Sequence, residues 1–116
     1  MLIQLNGQKL SSLLDTGCEV SIVGRRVAPG PELESTNRKL FAANGTSIPL
    51  LGKIIVKFRI RDIECSAAVV VSETVEDMIL GIDWLRQNNC HLELGSGTLV
   101  LRGRRITLVS KGERIE

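Results

Sequence analysis

The sequence predicts an all-β domain: a small closed barrel or sandwich of short strands, with one short helix. Three observations lead there. Aromatic residues are scarce, with Phe41, Phe58 and Trp84 and no tyrosine, so the core must be built from Val, Ile and Leu, side chains that suit a pleated sheet. Turn signals recur at short intervals at Asn6-Gly7, Asn44-Gly45, Arg61-Asp62, Gly95-Ser96-Gly97 and Arg102-Gly103, the punctuation of strands joined by tight turns. Only Asp83 to Asn89 carries helical spacing, in Trp84, Leu85 and Asn88.

Leu2 to Leu5 reads as a strand, turned by Asn6-Gly7 into Gln8 to Leu14, which delivers Asp15 at its end. Val20 to Val23 is a further short strand. Arg25 to Lys39 is polar and holds Pro29-Gly30-Pro31, so it reads as a loop. Leu40 to Ala43 and Thr46 to Leu50 flank Asn44-Gly45 as a second hairpin, and Pro49 confines its returning arm to an edge or exposed strand. Such a hairpin suits a mobile cover.

Lys53 to Ile60 alternates, with Ile54, Val56, Phe58 and Ile60 on one face. Ile63 to Val71 returns, and the run Ala67 to Val71 is apolar on both faces. Ser72 to Asp77 is an acidic loop, and Met78 to Gly81 is a short buried strand. Asp83 is placed to cap or strengthen the start of the helix. Cys90 to Leu94, Thr98 to Leu101 and Arg104 to Val109 complete the strands, and Ser110 to Glu116 is a polar tail. The domain is read as residues 1–109 and the tail as 110–116.

A chain of 116 residues suits one domain with its own core. Net charge is +2, and the late arginines Arg102, Arg104 and Arg105 have no interleaved aromatics for base stacking, so no direct nucleic-acid partner is expected. No apolar run approaches a membrane span, and no membrane partner is expected. Cys18, Cys65 and Cys90 are far apart, no CxxC pair exists and His91 is the single histidine, so no zinc site is expected. An odd cysteine count without a secretory signal points to a reducing compartment.

The most informative feature is Asp15-Thr16-Gly17, set between the leucines Leu13-Leu14 and the apolar Val20-Ser21-Ile22-Val23. A surface turn is the bland reading of Asp and Gly, but apolar runs on both sides argue against it. A carboxyl group where a hydrophobic strand ends is partly desolvated, which equips it for proton transfer. The triplet occurs once, so one chain would carry half of a two-carboxylate site.

With these residues in place, the chain resembles the retroviral-type aspartic proteases (retropepsins), closest to those of long-terminal-repeat retrotransposons. Leu13-Leu14-Asp15-Thr16-Gly17-Cys18 looks like their catalytic loop. Phe41-Ala42-Ala43-Asn44-Gly45-Thr46-Ser47-Ile48-Pro49-Leu50-Leu51-Gly52 looks like their flap, and Ile79-Leu80-Gly81-Ile82-Asp83-Trp84-Leu85 like their hydrophobic-hydrophobic-Gly strand and following helix. Together the motifs organise residues from about 2 to 101.

The resemblance implies an aspartic endopeptidase with a retropepsin-like fold, assembled as a symmetric homodimer. Its catalytic residue would be Asp15, with Thr16 bracing the two loops across the dimer and Gly17 allowing close backbone approach. Leu13, Val20, Ile22 and Ile79 would line pockets for apolar side chains. Glu19 would contact the substrate main chain, and Ala43, Asn44 and Gly45 would cover it. No cofactor and no metal are implied. The expected substrate is a polypeptide, the chain's own Gag-Pol polyprotein, cut in the cytoplasm or within virus-like particles. The bounds of the chain read as a piece of a longer protein, which favours that substrate. The alternatives are a domesticated regulatory protease, or a non-catalytic dimerisation or peptide-binding module of the same fold. One departure stands out: Ile82 occupies a position where many viral enzymes have an arginine that pairs with the acid after the catalytic loop. Glu19 must then use Arg25 or Arg26, or stay solvated.

Trp84 is expected in the core and His91 on a strand without catalytic duty. Cys18 is expected to pack beside the site, and Asp83 to serve the start of the helix rather than catalysis.

Overall fold

A computed structural model describes residues 1–27, 33–41 and 44–108. The Pro29-Gly30-Pro31 turn, Ala42, Ala43, the end of the last expected strand at Val109 and the tail 110–116 lie outside the described residues.

Alternation of inward apolar and outward polar side chains lays out the strands. Leu2–Leu5 (β1) and Gln8–Asp15 (β2) pair antiparallel around Asn6-Gly7, both with positive φ (51° and 78°), the backbone of a two-residue hairpin turn. Ser21–Gly24 (β3) follows. Leu40–Phe41 (β4) pairs with Ser47–Ile48 (β5). The two long strands Leu50–Ile60 (β6) and Ile63–Ser72 (β7) form the largest hairpin. Met78–Gly81 (β8) runs into the helix Ile82–Gln87 (α1). His91–Glu93 (β9), Thr98–Leu101 (β10) and Arg104–Thr107 (β11) end the described chain.

Six strands close a barrel in the order β1-β2-β8-β3-β7-β6, which selects the barrel over the sandwich. β2 and β8 run parallel, as do β3 and β7, while β3 and β8 are antiparallel. A three-stranded sheet, β11-β10-β9, stands beside the barrel. The barrel interior holds Ile3, Leu5, Leu14, Val23, Phe58, Ile60, Val71 and Leu80, with Trp84 fully buried against it. The Trp84 ring lies 5.8 Å from that of Phe58, and its indole N–H donates to the Ser66 carbonyl at 3.1 Å, so the helix is locked to the barrel by its one large aromatic.

Several expected boundaries shift for physical reasons. The helix is Ile82–Gln87, not Asp83 to Asn89. Asn89 takes a left-handed conformation (φ 48°), and the N–H groups of Asn89 and Cys90 return to the carbonyls of Arg86 and Leu85, which closes the helix early in a Schellman turn. β4 and β5 are two residues each, and Pro49 separates β5 from β6 where one arm was expected. Asn44 is not left-handed. Its Oδ1 accepts from the Thr46 N–H at 2.9 Å, so the turn is an Asx turn within a wider loop, not a two-residue reversal. β9 is His91–Glu93, shorter than Cys90 to Leu94, and Leu94 is exposed. β3 starts at Ser21 instead of Val20. Ala68 is exposed within β7, while Val70, on the same face, is covered by a second apolar cluster. The polar loop after β3 also touches the barrel, through paired Glu34 and Lys53 backbones.

Candidate active site

β2 ends at Asp15 because its partner β8 ends there: Asp15 stands opposite Gly81 in the parallel register. The Asp15 side chain is half-buried, and its Oδ1 accepts the Gly17 N–H at 2.9 Å. The Cys18 N–H returns to the Asp15 carbonyl at 3.1 Å, closing the turn. Thr16 and Gly17 are exposed. A carboxylate whose orientation is fixed by a backbone amide therefore faces out at the tip of an otherwise buried strand pair.

The floor is equally specific. A Cβ on Gly81 would lie 2.5 Å from the Cys18 carbonyl oxygen and 2.8 Å from that of Val20, so only glycine lets the loop pack onto β8. The Ile82 N–H donates to the Cys18 carbonyl at 2.8 Å, and the Gly81 N–H donates to Ser21 Oγ at 3.0 Å. Ser21 is fully buried. Its hydroxyl donates to Asp83 Oδ1 at 2.9 Å and its N–H to Asp83 Oδ2 at 3.2 Å, while the Trp84 N–H donates to Asp83 Oδ1 at 2.7 Å. Asp83 thus strengthens the first turn as expected, but it makes no N-cap bond. The N-cap position is Gly81, without a side-chain bond, and the first helical amide, that of Ile82, is satisfied by the Cys18 carbonyl of the loop instead.

Val20, Ile22 and Ile79 meet in a second apolar cluster, apart from the barrel core, with Val70, Cys18, Val75 and the hairpin-base residues Leu40 and Leu50. Leu13 is half-buried opposite Ile79 in the β2–β8 register and lies outside that cluster. Asn44 and Gly45 are exposed at the hairpin. Ala43 lies outside the described residues. Glu19 is exposed and forms no ion pair among the described residues. Of its two expected partners, Arg26 pairs with Asp77 at 3.7 Å. Cys18 packs as expected: its thiol donates to the Val20 carbonyl at 3.0 Å, and burial, with Asp15, Asp83 and Glu19 nearby, pushes it above the ordinary thiol range. His91 is an exposed strand residue.

Thr16 also lines an open groove of about 340 Å³ with Ile82, Leu85, Cys90, His91 and Leu92. Reading the sequence did not bring Ser21 and Asp83 together. The signal available was a small hydroxyl residue two positions before the end of an apolar run and an acid directly after Gly-Ile, which is not specific.

Comparison with known proteins places this fold. The model of the gag-polyprotein putative aspartyl protease family matches residues 1–87. DNA damage-inducible protein 1 of Candida glabrata is 26% identical over 117 residues, covering 96% of this chain and 27% of that protein. The chain spans about a quarter or less of the length of the curated relatives it matches. The retroviral protease-like domain of Ddi1 from Leishmania major superposes with a TM-score of 0.74 at 18% identity, covering 96% of this chain and 92% of that one. EIAV protease, in complex with the inhibitor HBY-793, superposes with a TM-score of 0.61 at 21% identity, covering 81% and 90%. The fold of the chain is that of these proteins.

Proposed function

The chain belongs to the gag-polyprotein aspartyl protease family, and on that premise we propose that it is an aspartic endopeptidase active as a symmetric homodimer. The observation that carries the reading is Asp15, a half-buried carboxylate held by the Gly17 amide at the open end of the β2–β8 pair and present once per chain. Two copies related by a two-fold axis bring two such carboxylates together. Two carboxylates in near contact do not both ionise, so the pair shares one proton and titrates as a pair. The charged member takes a proton from a water molecule, which attacks the scissile carbonyl. The protonated member assists the carbonyl oxygen, and the proton passes on to the leaving amine.

The apolar cluster of Val20, Ile22 and Ile79 beside Asp15 supports a preference for apolar side chains next to the scissile bond. The β4–β5 hairpin, based on Leu40 and Leu50 of that cluster, serves as the cover. The first substrate reading is the chain's own polyprotein, as the family description suggests, in the cytoplasm or in virus-like particles. A second reading, a regulatory protease, is favoured by the similarity to DNA damage-inducible protein 1 over nearly the whole chain.

The test is Asp15→Asn beside wild type on a panel of apolar peptides at acidic and neutral pH. Cleavage falls by about 10²–10⁴-fold in the variant, the contribution of a positioned acid–base group. Equal cleavage by both proteins contradicts the assignment.

A further inference from the structure

We propose that Asp83 is a positioning residue for the Asp15 loop, acting through Ser21. The proposal rests on the reading of the chain as an endopeptidase. The argument begins at Ile82. An arginine side chain there would hold the acid that follows the loop, but isoleucine offers only its N–H, which binds the Cys18 carbonyl at 2.8 Å. Glu19 is left exposed and without an ion pair among the described residues. The polar hold on the loop is made by Asp83, through Ser21.

The bonds form a directed chain. The Gly81 N–H donates to Ser21 Oγ, and the Ser21 hydroxyl spends its one proton on Asp83 Oδ1. The Ser21 N–H takes Oδ2, and the Trp84 N–H returns to Oδ1. The carboxylate thus accepts three donors and gives none. An asparagine with its oxygen at Oδ1 turns its NH₂ group toward the Ser21 N–H, setting donor against donor. Trp84 is fully buried, so the carboxylate is anchored to the rigid side of the fold. Ser21 follows the loop by five residues from Thr16, and Gly81, its other partner, stands opposite Asp15. Asp83 touches neither substrate nor the reacting atoms. It sets where residues 18–21, and through them Asp15, sit.

Asp83→Asn, Ser21→Ala and the double variant test this, each assayed for peptide cleavage, dimer affinity and Tm. Each single variant lowers kcat by about 10–100-fold, the cost of a misplacement of about 1 Å in a catalytic group, with KM changed by less than about threefold. The double variant is no worse than the poorer single one, because both remove one linkage. A variant with wild-type kcat per folded dimer and a lowered Tm only, or effects that multiply, overturns the proposal. Where Asp83→Asn does not fold, Ser21→Ala alone must show the fall in kcat, and a wild-type value there overturns it. A wild-type protein whose cleavage survives Asp15→Asn defeats the endopeptidase reading instead, so the two failures are distinguishable.

Discussion

Beneath Asp15, residues 18–21 are held by the amides of Gly81 and Ile82 and by the Asp83 carboxylate, around a serine with no exposed surface. Across the same apolar cluster, the β4–β5 hairpin has two paired residues per strand, an Asx turn, and Phe41 exposed at 63%. Both regions touch the cluster of Val20, Ile22 and Ile79, yet one is built from buried, mutually satisfied hydrogen bonds and the other from a few solvent-facing ones. Local stability follows burial and hydrogen-bond protection. On the proposed reading, the floor would fix the catalytic group and the hairpin would open and close over a peptide.

Two glycines sharpen the contrast. Gly81 is glycine for lack of space, since an added Cβ meets two backbone oxygens at 2.5 and 2.8 Å. Gly45 is glycine for its backbone, with φ at +84° and nothing within 4 Å of an added Cβ. Gly81→Ala should destabilise the fold by about 3 kcal/mol or more, the upper range for overpacking, because backbone cannot step aside. Gly45→Ala should cost about 1 kcal/mol through left-handed strain alone. Denaturant melts of both variants read the difference, and equal losses would erase the distinction between floor and hairpin.

Much of this was legible in the sequence, and the parts that were not share a cause. Asn6-Gly7 and Arg102-Gly103 announced their turns because a left-handed backbone needs particular residues locally, and both take it up, at φ 51° and 78°, and 51° and 77°. The alternation of Ile54, Val56, Phe58 and Ile60 announced the inward face of β6. The place of Asp15 at the end of an apolar strand was legible from its triplet and apolar flanks. The link from Ser21 to Asp83 spans 62 residues, and no local pattern encodes it. The helix start was misplaced for the same reason: its first amide, that of Ile82, is satisfied by the Cys18 carbonyl, 64 residues earlier in the chain. Leu13 was grouped with the pocket residues by resemblance, and the β2–β8 register sets it directly opposite Ile79 of the cluster.

The smallest expected effect lies away from both regions, in the β9–β11 sheet. Arg105 bonds Glu93, and Arg104 reaches Asp62 at 2.6 Å. These hydrogen bonds hold both carboxyl groups below their ordinary values. Folded-state values below the unfolded ones mean that the contribution is present at neutral pH. It is lost as pH falls from about 4, the ordinary carboxylate range, through the lowered values. Both pairs are solvent-exposed, so the gain is small and salt-screened. An Arg104→Gln/Arg105→Gln variant should melt slightly below wild type at pH 7, and the gap should narrow as pH falls below about 4. An unchanged gap across that range would contradict the pairing.

The central claim, one catalytic site shared between two chains, is tested most directly by titrating active wild-type protein with Asp15→Asn and measuring cleavage per wild-type chain. A mixed dimer holds a single catalytic carboxylate. With equal pairing affinities and free exchange, a tenfold excess of the variant should reduce cleavage per wild-type chain to about one-tenth by mass action. Cleavage per wild-type chain that stays constant across the titration, with exchange of subunits verified, would contradict the account.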